Sequence, residues 1–175
     1  KNHLTTDWHF MLQSDEVIHE NSYVIIRKLI NDFNYDSYTC RRFNFWKDAK
    51  HIVPEGSPHG PCSSSIVRLA QTRMGAYGDG ESLYGGSRHC DFFKFDIRIM
   101  HYGMIREGKK MVDKCIEMQK WFFHGIGSTP DPRIVSMKER DLPFQHHESI
   151  PDSALAVYGG VHPASMIEWL RDRGR

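Results

Sequence analysis

The chain has 175 residues, of which 39% are hydrophobic and 26% charged, and its formal net charge is +1. This length and composition predict one globular domain over residues 1–175, large enough to bury a sizeable core. The balanced charge argues against nucleic acid or an anionic membrane surface as the main partner, and no apolar run has the length of a transmembrane helix. Four widely spaced cysteines fit neither a zinc site nor a disulfide scaffold, so we expect reduced thiols in a cytoplasmic protein.

The first predicted element is a buried strand over residues 8–12, an apolar run that ends in the polar sequence Gln13-Ser14-Asp15-Glu16. A helix with one apolar face is predicted to follow over residues 20–31. Ligands of open α/β sheets bind beyond the carboxyl ends of the strands, so the acidic pair is a candidate binding site. The alternative is that the two acids only stabilise the positive end of the helix dipole.

Two further strands are predicted over residues 38–46 and 65–73, separated by a long connection that contains proline and glycine. The first of these strands carries Arg41 and Arg42, and planar guanidinium groups suit phosphate or carboxylate. The more ordinary interpretation is that one arginine faces solvent and the other pairs with a neighbouring acid.

A glycine-rich stretch after the second of these strands contains Asp79 and Glu81, with Tyr77 and Tyr84 nearby. A carboxylate in such a flexible loop could accept a proton from the hydroxyl group of a substrate. Glycines and acids are equally typical of solvated turns, so an exposed turn is the alternative.

Apolar and polar side chains alternate over residues 95–102, which predicts another strand. We expect one face to carry Phe95, Ile97 and Ile99 and the other to carry Asp96, Arg98 and Met100. His101 closes the apolar face, where it is either a hydrogen-bonded core residue or a ligand for a cation such as Mn²⁺.

Two helices are predicted in the second half of the chain, over residues 106–124 and 163–171. The first of them begins with Arg106, Lys109 and Lys110, whose charges oppose the helix dipole. These cations could bind a phosphate-rich ligand, with Arg106 as the candidate cofactor-binding residue, or they form a solvated basic turn.

The order of these motifs over residues 7–124 resembles that of family 2 glycosyltransferases of the type-A fold. In that family a strand ends in an Asp-x-Asp-Glu motif, and here the corresponding letters are Gln13-Ser14-Asp15-Glu16, with Gln13 in place of the first acid. The Arg68-Leu69 pair in a later strand and the His101-Tyr102-Gly103 element also look like parts of the family pattern.

The resemblance implies a mixed central sheet flanked by helices, like the C-terminal portion of a type-A domain. It also implies a nucleotide-diphospho-sugar donor, a sugar or other hydroxyl acceptor, and a divalent cation, Mn²⁺ or Mg²⁺, held by Asp15 and His101. Asp79 or Glu81 would be the catalytic base.

Under this interpretation the chain would be a fragment that lacks the N-terminal nucleotide-binding half. We would then expect it to be weakly active alone and to form a homo-oligomer through an uncovered sheet edge. Two alternatives remain open: a non-catalytic remnant or interaction module of the same fold, and a metal-dependent hydrolase that uses Asp15, Glu16, His19 and His101.

Overall fold

The computed structural model describes residues 6–32, 34–57, 65–77, 82–84, 88–90, 94–105, 110, 113–114 and 150–172. The strands within these ranges are β1 (Trp8–Phe10), β2 (Glu16–Ile18), β3 (Ser37–Trp46), β4 (His51–Ile52), β5 (Ser65–Gln71), β6 (Gly75–Tyr77), β7 (Ser82–Tyr84), β8 (His89–Cys90), β9 (Arg98–Met104) and β10 (Ala156–Val157). The helices are α1 (Ser22–Asp32), α2 (Ala164–Asp172) and a 3₁₀-helix (Asp152–Ala154). Among the described residues, none of the helices is both long and apolar enough to cross a membrane.

The sheet is organised around β3. Along one edge, β3 pairs antiparallel first with β5 and then with β4. Along its other edge it pairs in parallel first with β8 and then with β9. Three antiparallel strands extend this centre, because β1 pairs with β5, β2 with β9 and β10 with β4. The result is a curled mixed sheet, beside which β6 and β7 form a separate hairpin.

Both faces of β9 are buried. Ile99 lies in a cluster that includes Leu29 of α1, and the next residue, Met100, lies in a cluster that includes Leu170 of α2. Because successive side chains of a strand point to opposite faces, α1 and α2 cover opposite faces of the sheet at this strand.

The prediction of a mixed α/β fold is confirmed. The bounds of α1, α2, β3 and β5 lie within two residues of those predicted, because periodicity and turn residues mark these elements clearly. In the helix predicted over residues 106–124, the structure describes Lys110, Asp113 and Lys114, and all three have helical backbone.

Three details of the predicted strands were wrong. The strand at residues 8–12 is the short, half-buried β1, which pairs with β5. The acidic pair does not lead directly into a helix, because Glu16 begins β2 and α1 starts only at Ser22. Met100, expected on a polar face, is fully buried, because β9 lies inside the sheet with a helix on either side.

Candidate functional site

Asp15 lies in the tight turn that joins β1 to β2. Glu16 N donates to Gln13 O at 3.0 Å, and Gln13 N donates back to Glu16 Oε2 at 3.1 Å. Tyr102 N of β9 donates to Asp15 O at 2.9 Å. These backbone contacts fasten the turn to β9, so the position of the Asp15 carboxylate is fixed relative to that strand.

His101 of β9 stands opposite Asn44 in the parallel ladder with β3, and its Nδ1 lies 3.0 Å from Asn44 Oδ1. An amide oxygen can only accept a hydrogen bond, so Nδ1 donates to it and the other ring nitrogen, Nε2, stays available for a further contact. That Nε2 atom lies 3.6 Å from Asp15 Oδ2. The structure therefore brings together the two residues proposed from the sequence as cation ligands.

Lys114 completes the group. Its Nζ donates to Asp15 Oδ2 at 2.8 Å and to Gly103 O at 3.2 Å. The side chains of Asp15 and Lys114 keep 17% and 16% of their surface exposed, whereas that of His101 keeps 5%. The carboxylate and the ammonium can therefore be reached from solvent, while the imidazole is set behind them.

Gly103 is required by this close approach. A Cβ atom at position 103 would lie 2.5 Å from Lys114 Nζ, 2.6 Å from His101 Nε2 and closer still to Asp15 Oδ2. Real Cβ atoms essentially never come so near to another heavy atom. Three polar side chains thus pack against the backbone of Gly103, and a Cβ atom there would force them to move.

The pKa of Asp15 reflects its neighbours. Burial by itself would raise this pKa, but His101 and then Lys114 more than offset that effect and hold the pKa far below its usual value. Asp15 is therefore a carboxylate at any physiological pH, the form that binds a cation.

The donor set suits a cation that is shared with a phosphate ligand. In the described part of the chain, no three His, Cys, Asp or Glu side chains converge as a metal site. Mg²⁺ and Mn²⁺ are nevertheless commonly held by one or two carboxylates together with substrate phosphates, and imidazole favours Mn²⁺. Asp15 and His101 fit such a cation, with the Lys114 ammonium as a competitor for the same carboxylate oxygen.

Glu16 is not part of this group. Its side chain is fully buried, and Oε1 accepts hydrogen bonds from Arg42 Nη1 at 3.2 Å and from Arg68 Nη2 at 2.7 Å. Both arginine side chains are also buried. We call Glu16, Arg42 and Arg68 the buried ion cluster, and its role is to join β2, β3 and β5.

The buried ion cluster also distinguishes the two strand arginines. Arg42 pairs with an acid, as the ordinary interpretation held, while Arg41 is about a third exposed and lies 3.8 Å from Asp96. His19, named for the hydrolase alternative, contacts Val161 O through Nε2 at 3.0 Å.

The other candidate residues, Asp79, Glu81 and Arg106, lie outside the described residues. The strands β6 and β7 that flank the first two are described. The buried residues Met74 and Leu83 of this hairpin region pack against Met11, which precedes Asp15 by four positions.

Sequence reasoning did not single out Asn44 or Lys114. Asn44 is one polar residue in an aromatic strand, and only its register opposite His101 gives it a role. Lys114 lies 99 residues beyond Asp15 in the chain, and several other lysines lie near it in the sequence. Gly103 did carry a signal, since it directly follows the His101-Tyr102 pair.

Comparison with protein-family models, curated proteins and solved structures found no match.

Proposed function

We propose that the protein is a glycosyltransferase similar to those of family 2, transferring a sugar from a nucleotide-diphosphate donor to an acceptor hydroxyl with bound Mn²⁺ or Mg²⁺. The observation that carries this proposal is the pairing of Asp15 with His101, whose Oδ2 and Nε2 atoms lie 3.6 Å apart. The sequence resemblance implies that these two residues hold the divalent cation that binds the nucleotide-diphospho-sugar. In this proposal the curled sheet is the C-terminal portion of a type-A domain.

A bound divalent cation would neutralise the diphosphate as it leaves with the nucleotide. The described residues are arranged in a way that suits a bound cation. Asp15 supplies a permanent negative charge, and Asn44 holds the His101 ring so that Nε2 faces that charge. Such a partner behind a ligating histidine fixes its tautomer and orientation. The buried ion cluster holds the neighbouring strand β2 in place.

Proton transfer is assigned to Asp79 or Glu81. The bond between the sugar's anomeric carbon and the diphosphate oxygen breaks, a bond to the acceptor oxygen forms, and one of these carboxylates accepts the hydroxyl proton. The packing of the β6–β7 hairpin region against Met11 supports this assignment, because it places the strands around the acidic loop near the start of the Asp15 turn. Arg106 would bind the diphosphate.

One observation favours a second candidate function, a non-catalytic module of the same fold. The Lys114 ammonium already neutralises Asp15, so the carboxylate needs no metal to be satisfied. A binding measurement separates the two functions.

The compartment and the assembly state are part of the same proposal. Cys40 is a buried free thiol, which supports a protein kept in the reducing cytoplasm. A homo-oligomer formed through a sheet edge stays a prediction, and light scattering on the purified chain tests it.

The test is a titration of Mn²⁺ into the protein in the presence of uridine diphosphate, followed by the electron paramagnetic resonance signal of free Mn²⁺. We expect binding that weakens at least about 100-fold, or 2.7 kcal/mol, in Asp15→Asn and His101→Ala. Ser14→Ala is the control, because Ser14 is the exposed neighbour of Asp15 in the same turn.

If Mn²⁺ fails to bind in the presence of the nucleotide, or binds equally well to Asp15→Asn, the cation site is elsewhere and the non-catalytic function is favoured. If the site binds as expected, release of the nucleoside diphosphate from a panel of nucleotide-sugars then identifies the donor.

A further inference from the structure

Lys114 holds a position that the proposed function leaves unexplained. Its Nζ lies 2.8 Å from Asp15 Oδ2, the oxygen that also faces His101 Nε2. The ammonium and the imidazole nitrogen both lie within 2.6 Å of one point above Gly103. An ion pair between Lys114 and Asp15 would need neither that imidazole nor the close approach of three polar side chains to Gly103.

A divalent cation and the Lys114 ammonium cannot both keep these contacts. Each needs Asp15 Oδ2, and two positive charges so close together repel each other strongly where water is partly excluded. Lysine has a flexible stem and a compact charge, so its ammonium can move while the helix that carries it stays in place. A diphosphate bound to the cation offers new oxygen acceptors beside the site, and lysine binds phosphate as a point charge.

We propose that Lys114 is a displaceable counter-ion that sits on Asp15 until a cation and a diphosphate bind together, and then contacts the diphosphate oxygens. This inference rests on the proposed function. In this arrangement the cation alone binds weakly, because Lys114 then loses its contact with Asp15 and gains no other contact in return. The diphosphate supplies that contact, so each of the two ligands strengthens the binding of the other.

A nucleoside monophosphate strengthens cation binding less than a diphosphate, because it presents fewer charged oxygens to both the cation and the ammonium. The site therefore selects a cation–diphosphate complex over either part alone.

The experiment measures Mn²⁺ affinity by the same resonance method, with and without uridine diphosphate, for the original protein and for Lys114→Met. In the original protein we expect uridine diphosphate to tighten Mn²⁺ binding about 10-fold or more. In Lys114→Met, Mn²⁺ alone binds about 10-fold tighter, and the effect of uridine diphosphate falls to about 2-fold or less. Lys28→Met makes the same charge change at an exposed position of α1 and is the matched control.

Circular dichroism checks that each variant is folded, and Lys114→Gln serves as a second neutral variant if Lys114→Met is not. Uridine monophosphate is the comparison ligand for selectivity. If neutral variants bind free Mn²⁺ no tighter than the original protein, or keep its full response to uridine diphosphate, the displacement is overturned while the cation site stands. If no variant binds Mn²⁺ under any condition, the proposed function is overturned as well.

Discussion

Asp15 and Glu16 are adjacent acids of the same charge, but the structure places their carboxylates in different environments. Glu16 has no exposed side-chain surface and accepts hydrogen bonds from two buried arginines. Asp15 is 17% exposed and faces a lysine that is similarly exposed and a histidine that is buried behind them. One acid is enclosed by the fold, and the other is presented at its surface.

This difference shows that two adjacent acids of one short motif can have different roles. A fully buried charge must keep its oppositely charged partner. If one of the two is removed, the other is left in the interior with neither water nor an opposite charge to stabilise it. A partly exposed carboxylate can exchange one cation for another, because solvent supports it during the exchange. Glu16 is therefore suited to hold strands together, and Asp15 is suited to bind and release.

The largest effect should come from Glu16→Gln. This change removes the charge that compensates Arg42 and Arg68, so we expect the free energy of unfolding to fall by about 3–5 kcal/mol. Urea denaturation of the purified variant measures it. Glu168→Gln, on the exposed side of α2, makes the same chemical change and should alter stability by less than about 0.5 kcal/mol. A loss under 1 kcal/mol in Glu16→Gln would contradict the structural role of the buried ion cluster.

Gly103→Ala should affect both the group formed by Asp15, His101 and Lys114 and the stability of the fold. The added methyl group would displace Asp15, His101 and Lys114 from their common point, and overpacking of this kind costs about 1–3 kcal/mol. We also expect loss of Mn²⁺ binding in the presence of uridine diphosphate. Gly159→Ala is the control, since a Cβ atom there would meet no atom within 4 Å. Unchanged Mn²⁺ binding in Gly103→Ala would place the cation elsewhere.

Asn44→Ala should weaken the site without removing a proposed ligand. Without the Asn44 amide oxygen, the His101 ring is free to change tautomer and orientation, and Mn²⁺ affinity should fall about 10- to 100-fold. Asn31→Ala in α1 tests whether loss of an asparagine elsewhere has the same effect. Equal Mn²⁺ affinity in both variants would show that Asn44 does not orient the histidine.

The smallest effect concerns a third carboxylate, Asp36, which Arg73 and Arg88 contact from the surface at 2.8 and 3.0 Å. The hydrogen bond from Arg88, opposed by burial and helped by the charge of Arg73, lowers the Asp36 pKa from 3.8 to about 2. A lowered pKa stabilises the folded state above pH 3.8, and this stabilisation is lost as the pH falls to about 2.

Urea denaturation across this acid range should therefore show a shallower loss of stability in Asp36→Asn than in the original protein. Asp172→Asn, at an exposed position of α2, should follow the original protein's curve. Parallel curves for the original protein and Asp36→Asn would mean that Asp36 titrates alike in the folded and unfolded states.

The local pattern of the sequence was enough to predict much of the fold. Helical spacing located α1 and α2, and aromatic and β-branched residues located β3 and β5. The burial of Met100 on β9 could not be predicted in this way. It depends on β9 lying in parallel beside β3 with a helix on either side, and such long-range pairing leaves no periodic signal in the strand itself.

Only part of the candidate site was predicted, because local patterns reveal some of its residues and not those that depend on long-range pairing. Asp15 and His101 were proposed because each follows or ends an apolar run, which is a local feature. Asn44 and Lys114 contribute only through the strand register and through a helix far along the chain, so no short motif could reveal them. The different environments of the Asp15 and Glu16 carboxylates also depend on long-range contacts, because the arginines that bind Glu16 are 26 and 52 residues away from it.

The parallel pairing of β3 with β9 also has a consequence for how the chain folds. Asn44 and His101 are 57 residues apart in sequence, so their contact closes a long loop and carries a large entropic cost before other interactions compensate it. During synthesis, β1, β3 and β5 can pair while β9 is still inside the ribosome, because these three strands precede it. The contact between Asp15 and His101 would then form late, after β9 has been inserted beside β3.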